Sequence, residues 1–412
     1  MKRSKGGVAV AEVVSTIPLS NHEEELFRRF DVPKIEIEKR ITKGLSGANV
    51  YLVLIFNEKT IDLAIAKFQK VSERNVNELE LHQKVLKIVQ GHNLEQYVPK
   101  IKTCAEYENW YGVLYELVGD CVVESKTLNY AIYNELPNIS DISKNISSIL
   151  YNWNLPYQSK DIHPIDIVEH SLGSRFFDER MMKAFEKIGV NNDDLWLTFD
   201  GIYEVFPNPM KFLQDRSLWG MEIPCLLGHS HGDLHGNNIM VSKNGDISII
   251  DFGSFKDTDN IFYDHRYLEL HVTLSYMSIE DDDQRLFWKD LCATLSSKMN
   301  NTIEIPSGPG SMVLRSVLPQ LRTSIKDRIT HQAAKQLYEP SFYLAGVAAG
   351  LNLFRKTRED DVRFAAFLYT VYNLQATIKH PTLIISNQKS LPWVKGDEDA
   401  IKVKSLKCLL PL

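Results

Sequence analysis

Residues 229–253 read HSHGDLHGNNIMVSKNGDISIIDFG. Two short β-rich runs, Ile239–Val241 and Ile247–Ile250, flank Lys243-Asn244-Gly245-Asp246. Asn-Gly between apolar runs predicts a tight hairpin, because both turn positions tolerate positive φ. A hairpin brings its flanks together, so Asn238 and Asp251 are expected side by side. An amide oxygen converging with a carboxylate suits Mg²⁺, which prefers oxygen ligands and also takes phosphate oxygens. Asp233 lies at the mouth of the same segment, where it could accept or orient the proton of an attacking hydroxyl.

Working outward toward the N-terminus, IEIEKRITKG (35–44), VYLVLIF (50–56) and IDLAIAKF (61–68) read as strands by alternation and β-rich composition. The segment VSERNVNELELHQKVLKIV (71–89) has helical periodicity, and YGVLYELVG (111–119) is strand-like again. This predicts a small antiparallel sheet with one helix. Between the first two strands, Lys43 to Val50 is rich in small residues. It reads either as a plain hairpin turn or as a loop whose backbone N–H groups can approach a phosphate. Strand parity places Lys67 on the face of Ile61, Leu63 and Ile65. A lysine on such a face either snorkels to water or needs a counter-charge or an anionic ligand. In the following helix Glu78 shares a face with Leu81, Val85 and Ile88 and is expected to point inward. Glu80 shares a face with Lys84 and Lys87 and is expected in solvent. Glu78 is therefore the predicted partner of Lys67.

Beyond residue 126 the text turns helical. SDISKNISSILYNW (140–153), IDIVEHSLGSRFFDERMMKAFEKIG (165–189) and NPMKFLQDRSLW (208–219) are expected helices, and mostly helical text resumes after the hairpin and runs to about residue 380. The charged runs EDDDQR (280–285) and RKTREDD (355–361) are read as a solvated helix start and a charged loop. The expected organisation is a lead-in over 1–34, a sheet lobe over 35–118, a helical lobe over 119–380 and a tail over 381–412.

The 412 residues are 44% hydrophobic and 24% charged, which excludes a wholly disordered chain. With 47 Lys and Arg against 53 Asp and Glu, the net charge of -6 gives no sign of nucleic-acid binding. Five widely spaced cysteines without a C-x-x-C pair argue against a disulfide framework or a cysteine zinc site. No apolar stretch approaches the ~20 residues of a membrane span. A cytoplasmic protein with no membrane or nucleic-acid partner is expected.

The ordered motifs resemble the protein-kinase-like fold, in the branch of aminoglycoside and choline phosphotransferases. His231, Asp233 and Asn238 match H-x-D-x-x-x-x-N, and Asp251 to Gly253 match D-F-G, with Asp251 thirteen residues beyond Asn238. Ala64-Ile65-Ala66-Lys67 is similar to V-A-I-K, and Tyr115 to Gly119 resembles the segment that binds adenine through its backbone. HGDLH in place of HRDLK, and the long stretch from Gly119 to His231, point toward the small-molecule branch. YDHRYLELHV (263–272) and YLAGVAAGLNLF (343–354) resemble the ternary-complex-associated phosphotransferase-like domains of bacterial conflict systems. An APE-like motif after DFG is lacking, unlike in protein kinases.

The resemblance implies an α+β, bilobal fold: a small antiparallel sheet lobe with one helix, and a large mainly helical lobe with a catalytic hairpin. It implies that Lys67 holds the α- and β-phosphates of ATP, or of another nucleoside triphosphate, and pairs with Glu78. Asn238 and Asp251 would hold Mg²⁺, and Asp233 would orient the acceptor hydroxyl. Ser46, Gly47 and Ala48 would cover the phosphates. Glu116 and Val118 would present backbone groups to the base, roofed by Val50 and Ile65. His231 would brace the loop, and His235, which replaces a family Lys, is a candidate for contact with the γ-phosphate. The acceptor is expected to be a small-molecule hydroxyl, with a protein hydroxyl as the second option. Two other readings are open: a nucleotide-binding scaffold, possible in a conflict system, and a metallo-hydrolase built on His229, His231, Asp233 and His235.

Overall fold

The computed structural model describes residues 10–41, 48–71, 78–116, 125–134, 138–199, 202–276, 282–297, 299, 303–308, 310–329, 331–383 and 401–402. The chain divides into two compact units. One contains residues 1–126 and 238–254, and the other 127–237 and 255–412. The hairpin of the opening motif thus groups by its contacts with the sheet unit.

In the sheet unit, β1 (Glu12–Ser15), β2 (Lys34–Ile41), β3 (Asn49–Phe56), β4 (Ile61–Lys70), β5 (Ile101–Tyr107) and β6 (Trp110–Glu116) form one sheet in the order β1-β2-β3-β4-β6-β5. The β2 to β6 pairings are antiparallel, while β1 adds to the edge in parallel. Helix α1 (Asn21–Arg28) starts at a capping box made by Ser20 and Glu23. The lead-in is therefore not an appendage. Its Leu26, Phe27 and Phe30 are fully buried with Tyr51, Ala64, Ala66 and Phe68 in the core of this unit. Leu26 and Phe27 directly follow the acidic run Glu23–Glu25, and they face the sheet. Gly112 in β6 makes room for this packing, since a Cβ there would lie 2.6 Å from the Phe68 ring.

The opposite face of β4 carries Ile65 and Lys67. Parity holds as expected, yet this face is more open than its composition suggested: Ile61 is exposed, and Leu63 and Ile65 are half-buried. Helix α2 (Glu78–His92) buries Glu78, His82, Val85 and Val89. The expected face is rotated slightly, with Leu81 and Ile88 only half-buried.

The second unit is mainly helical, built around the antiparallel contact of Gln332–Lys356 with Asp360–Ile378. Three features depart from the sequence reading. The expected helix over 165–189 is broken into Pro164–Leu172 and Glu179–Lys187. Gly173 at φ 57 stops the first, and the Asp178 side chain caps the second by accepting from Met181 N. Strands Gln158–Ile162, Ile223–Ser230 and Lys256–Asn260 form an antiparallel sheet inside text read as helical. Their sequences, such as Lys256-Asp-Thr-Asp-Asn260, lack the alternation that signals a strand, and tertiary pairing overrides that. Finally, Arg355 and Lys356 are the last turn of the long helix, not a loop.

Candidate functional site

The hairpin forms as read. Ile239–Val241 pairs antiparallel with Ile247–Ile249, and Gly245 takes φ 87 in the turn. Ile250 N donates to Asn238 O at 3.0 Å, so the two flanks close directly on one another. Asp251 follows with φ 67, a left-handed conformation uncommon for a residue other than glycine. Phe252 is fully buried, its ring 5.3 Å from that of His82 on α2. His82 Nε2 in turn lies 2.7 Å from Pro99 O. The start of α2 is thereby tied to the hairpin.

Three charged side chains meet there. Lys67 Nζ donates to Glu78 Oε1 at 2.5 Å and to Asp251 Oδ1 at 3.1 Å. Lys67 and Glu78 are both buried, the Asp251 side chain is 38% exposed, and Glu80 lies in solvent. Burial disfavours the Lys67 ammonium, but the carboxylates of Asp251 and Glu78 more than offset it and raise its pKa above the ordinary lysine value. Tyr111, next to Gln69 in the β4–β6 register, has its hydroxyl 2.8 Å from Gln69 Oε1 and 3.2 Å from Glu78 Oε2. Val50 stands opposite Lys67 in the β3–β4 ladder, and Ile65 opposite Leu52. Glu116 is exposed at the end of β6, opposite Ala64. Ala48 is buried. Ser46, Gly47 and Val118 lie outside the described residues.

Asp233 belongs to the other unit, in the loop that follows strand Ile223–Ser230. That strand is fitted closely: a Cβ on Gly228 would meet Asn154 Oδ1 at 2.3 Å. The loop is held by Asp264, whose two carboxyl oxygens accept from His231 N at 2.6 Å and Gly232 N at 3.1 Å. Burial lifts the Asp264 pKa to about 7, against the pull of those two backbone donors. Asp233 accepts from Lys356 Nζ at 2.5 Å. Burial opposes ionisation of Asp233, but Lys356, His235 and Arg175 outweigh it and hold the carboxyl at about 2. Lys356 is lowered by burial and by the neighbouring Arg175 and Arg355, against the attraction of Asp233.

The four residues of the metallo-hydrolase reading go separate ways. His229 Nδ1 lies 2.8 Å from Asp257 O, and the His235 ring stacks on His271 with centroids 4.8 Å apart. The His231 amide goes to Asp264 and Asp233 to Lys356. Among the described residues, no three His, Cys, Asp or Glu side chains form a group able to hold a metal ion. Asn238 and Asp251, on the closed flanks of one hairpin, carry hard oxygen atoms of the kind that Mg²⁺ prefers.

Sequence reading missed Lys356, Arg175, Tyr111, Gln69 and Asp264. Lys356 is 123 residues from Asp233, and only its place beside Arg355 at the end of a helical pattern marks it. Tyr111 and Gln69 were legible as neighbours only through the β4–β6 register.

A small sheet unit joined to a large, mainly helical one is the plan of the protein-kinase-like fold. No family model matches the chain, and no curated protein matches it. Similar solved structures include an aminoglycoside-3'-phosphotransferase of type VIII, 11% identical, covering 69% of this chain and 93% of that one, with a TM-score of 0.33. They also include an ethanolamine kinase of Plasmodium vivax, 13% identical, covering 82% of this chain and 81% of that one, with a TM-score of 0.34. Among the described residues no helix is long and apolar enough to cross a membrane.

Proposed function

We propose that this chain is a phosphotransferase that moves the γ-phosphate of ATP, or of another nucleoside triphosphate, to a hydroxyl of a small molecule, with a protein hydroxyl as the second acceptor class. The observation that carries this reading is the buried Lys67 ammonium shared by Glu78 at 2.5 Å and the half-open Asp251 at 3.1 Å. A cation kept charged and aimed in a buried place is suited to polyphosphate, and such transfer rests on positioning and electrostatics. Lys67 would bind the α- and β-phosphates, and Glu78, braced by Tyr111, would aim it. Asn238 and Asp251 would hold Mg²⁺, which when bound neutralises phosphate charge. Val50 and Ile65 would cover the base, Glu116 and Val118 would offer it backbone groups, and Ser46 to Ala48 would cover the phosphates. Asp233, with its pKa held at about 2, is a weak base, so its work would be to orient the acceptor hydroxyl and receive its proton late.

The test compares Asp251→Asn with Asp233→Asn in the full chain. Nucleotide affinity is read by thermal shift with Mg-ATP and Mg-GTP, and transfer by release or capture of labelled γ-phosphate in cell extract. At a hundredfold excess over Kd, nucleotide should add about 2.7 kcal/mol to wild-type stability. Asp251→Asn should lose binding and transfer together. Asp233→Asn should keep binding and lose roughly 10²–10⁴-fold in transfer. Absence of any nucleotide-dependent shift in the wild type would overturn the reading. Binding without transfer in the wild type would leave a nucleotide-binding scaffold.

A further inference from the structure

We propose that Lys356, the last residue of the helix Gln332–Lys356, is the positioning residue for Asp233, holding its carboxylate ionised and in one orientation. The proposal deepens the phosphotransfer reading and rests on it for the role of Asp233. Three observations support it. The helix end is fixed before Lys356 acts. Arg355 Nε lies 2.8 Å from both carboxyl oxygens of Asp178, the residue that caps Glu179–Lys187. Adjacent cations of one helix terminus thus grip carboxylates from two other segments. Second, Lys356 reaches Asp233 at 2.5 Å along the Tyr267 ring, its Nζ 5.4 Å from the ring centroid and 3.4 Å from the hydroxyl. Third, the pair is only partly open, the side chains being 28% and 25% exposed. It is therefore screened by water far less than a surface pair, while Asp233 keeps an open edge for a ligand.

Several elements bring titratable groups to Asp233. Lys356 comes from the long helix, Tyr263, Tyr267 and His271 from Tyr263–Tyr276, Arg175 from the turn after Leu172, and His235 from its own loop. Of the cations among them, Lys356 donates a hydrogen bond to the carboxylate. Removing it leaves a largely buried carboxyl whose main counter-charge is gone, and its pKa must rise. Helix-end lysines also favour the helix dipole. That effect would be lost on substitution too, but it would leave the ionisation of Asp233 unchanged.

The decisive experiment is a carboxyl NMR titration of the full-length chain labelled with ¹³C at aspartate, with Asp233→Asn used to identify the Asp233 signal. The wild type should show Asp233 ionised at pH 4 and above. Lys356→Met, which keeps the stem against Tyr267, should move the Asp233 midpoint above pH 4, and Lys356→Arg should restore the wild-type behaviour. Asp233 still ionised at pH 4 in folded Lys356→Met would overturn the assignment. Phosphate release from Mg-ATP to water, measured against pH, is the second readout. Lys356→Met should lower kcat at least tenfold, leave nucleotide Kd unchanged and move the acid limb upward with the NMR midpoint. An unchanged kcat and acid limb would overturn the positioning role. A wild type that moves phosphate neither to water nor to any acceptor in cell extract sinks the phosphotransfer reading, and the titration still decides the Lys356–Asp233 assignment.

Discussion

Replacing Glu78 by glutamine isolates the charge of the Lys67 partner. The glutamine side chain keeps an acceptor for Lys67 Nζ, now 2.5 Å from Glu78 Oε1, and a polar group near the Tyr111 hydroxyl. Removing one partner of a buried ion pair costs about 3–5 kcal/mol when the other charge is orphaned. Here Lys67 keeps Asp251 at 3.1 Å, so the loss is closer to one charge-assisted hydrogen bond, about 1.5–3 kcal/mol. For a unit of this size that is a Tm decrease of about 3–12 °C. Glu80→Gln changes an exposed residue of the same helix and should stay within about 0.5 kcal/mol. Urea and thermal unfolding at pH 7 measure both. The sign with pH follows from Lys67, whose folded pKa is raised. The stabilisation is fully present below the unfolded lysine value near ~10.4 and is lost as pH rises through the higher folded value. The gap between wild type and Glu78→Gln should therefore persist from neutral pH to about 10 and shrink above it. Equal costs for the two substitutions, or a larger one at Glu80, would refute the reasoning.

Tyr111→Phe should cost about 0.5–1.5 kcal/mol, and its effect should couple to that of Glu78→Gln by at least ~0.5 kcal/mol in a double-mutant cycle, since the two side chains touch. Phe27→Ala, from the lead-in, should destabilise the sheet unit by about 3–5 kcal/mol in urea, because the ring is fully buried 4.6 Å from that of Phe68. A cost below ~1 kcal/mol would show that the lead-in is not core. Asp264, lifted to about 7, binds its proton more tightly folded than unfolded, so it makes stability rise as pH falls from about 7 toward 4, by up to ~1.4 kcal/mol per unit. Asp264→Asn should flatten that slope in pH-dependent unfolding, and an unchanged slope would place the proton elsewhere.

The hairpin was legible because its signal is local. Asn244-Gly245 sets the turn, the turn sets the register, and the register alone closes Asn238 against Ile250 just before Asp251. The parity of Lys67 along β4 and the inward placing of Glu78 on α2 were equally legible, since side-chain direction repeats every two residues in a strand and about every 3.6 in a helix. Periodicity says which way a side chain points, and it does not say what lies opposite. That is why Leu26 and Phe27, next to Glu23–Glu25 in the lead-in, do not reveal in the sequence that they cover the far side of the sheet. It is also why Lys256–Asn260, polar throughout, passed as something other than a strand until Ile223–Ser230 paired with it. The partner of Asp233 lay furthest from view. Lys356 is an ordinary helix-end lysine in the text, and its charge acquires meaning only where the long helix ends against Asp233 and burial strips the water from between them.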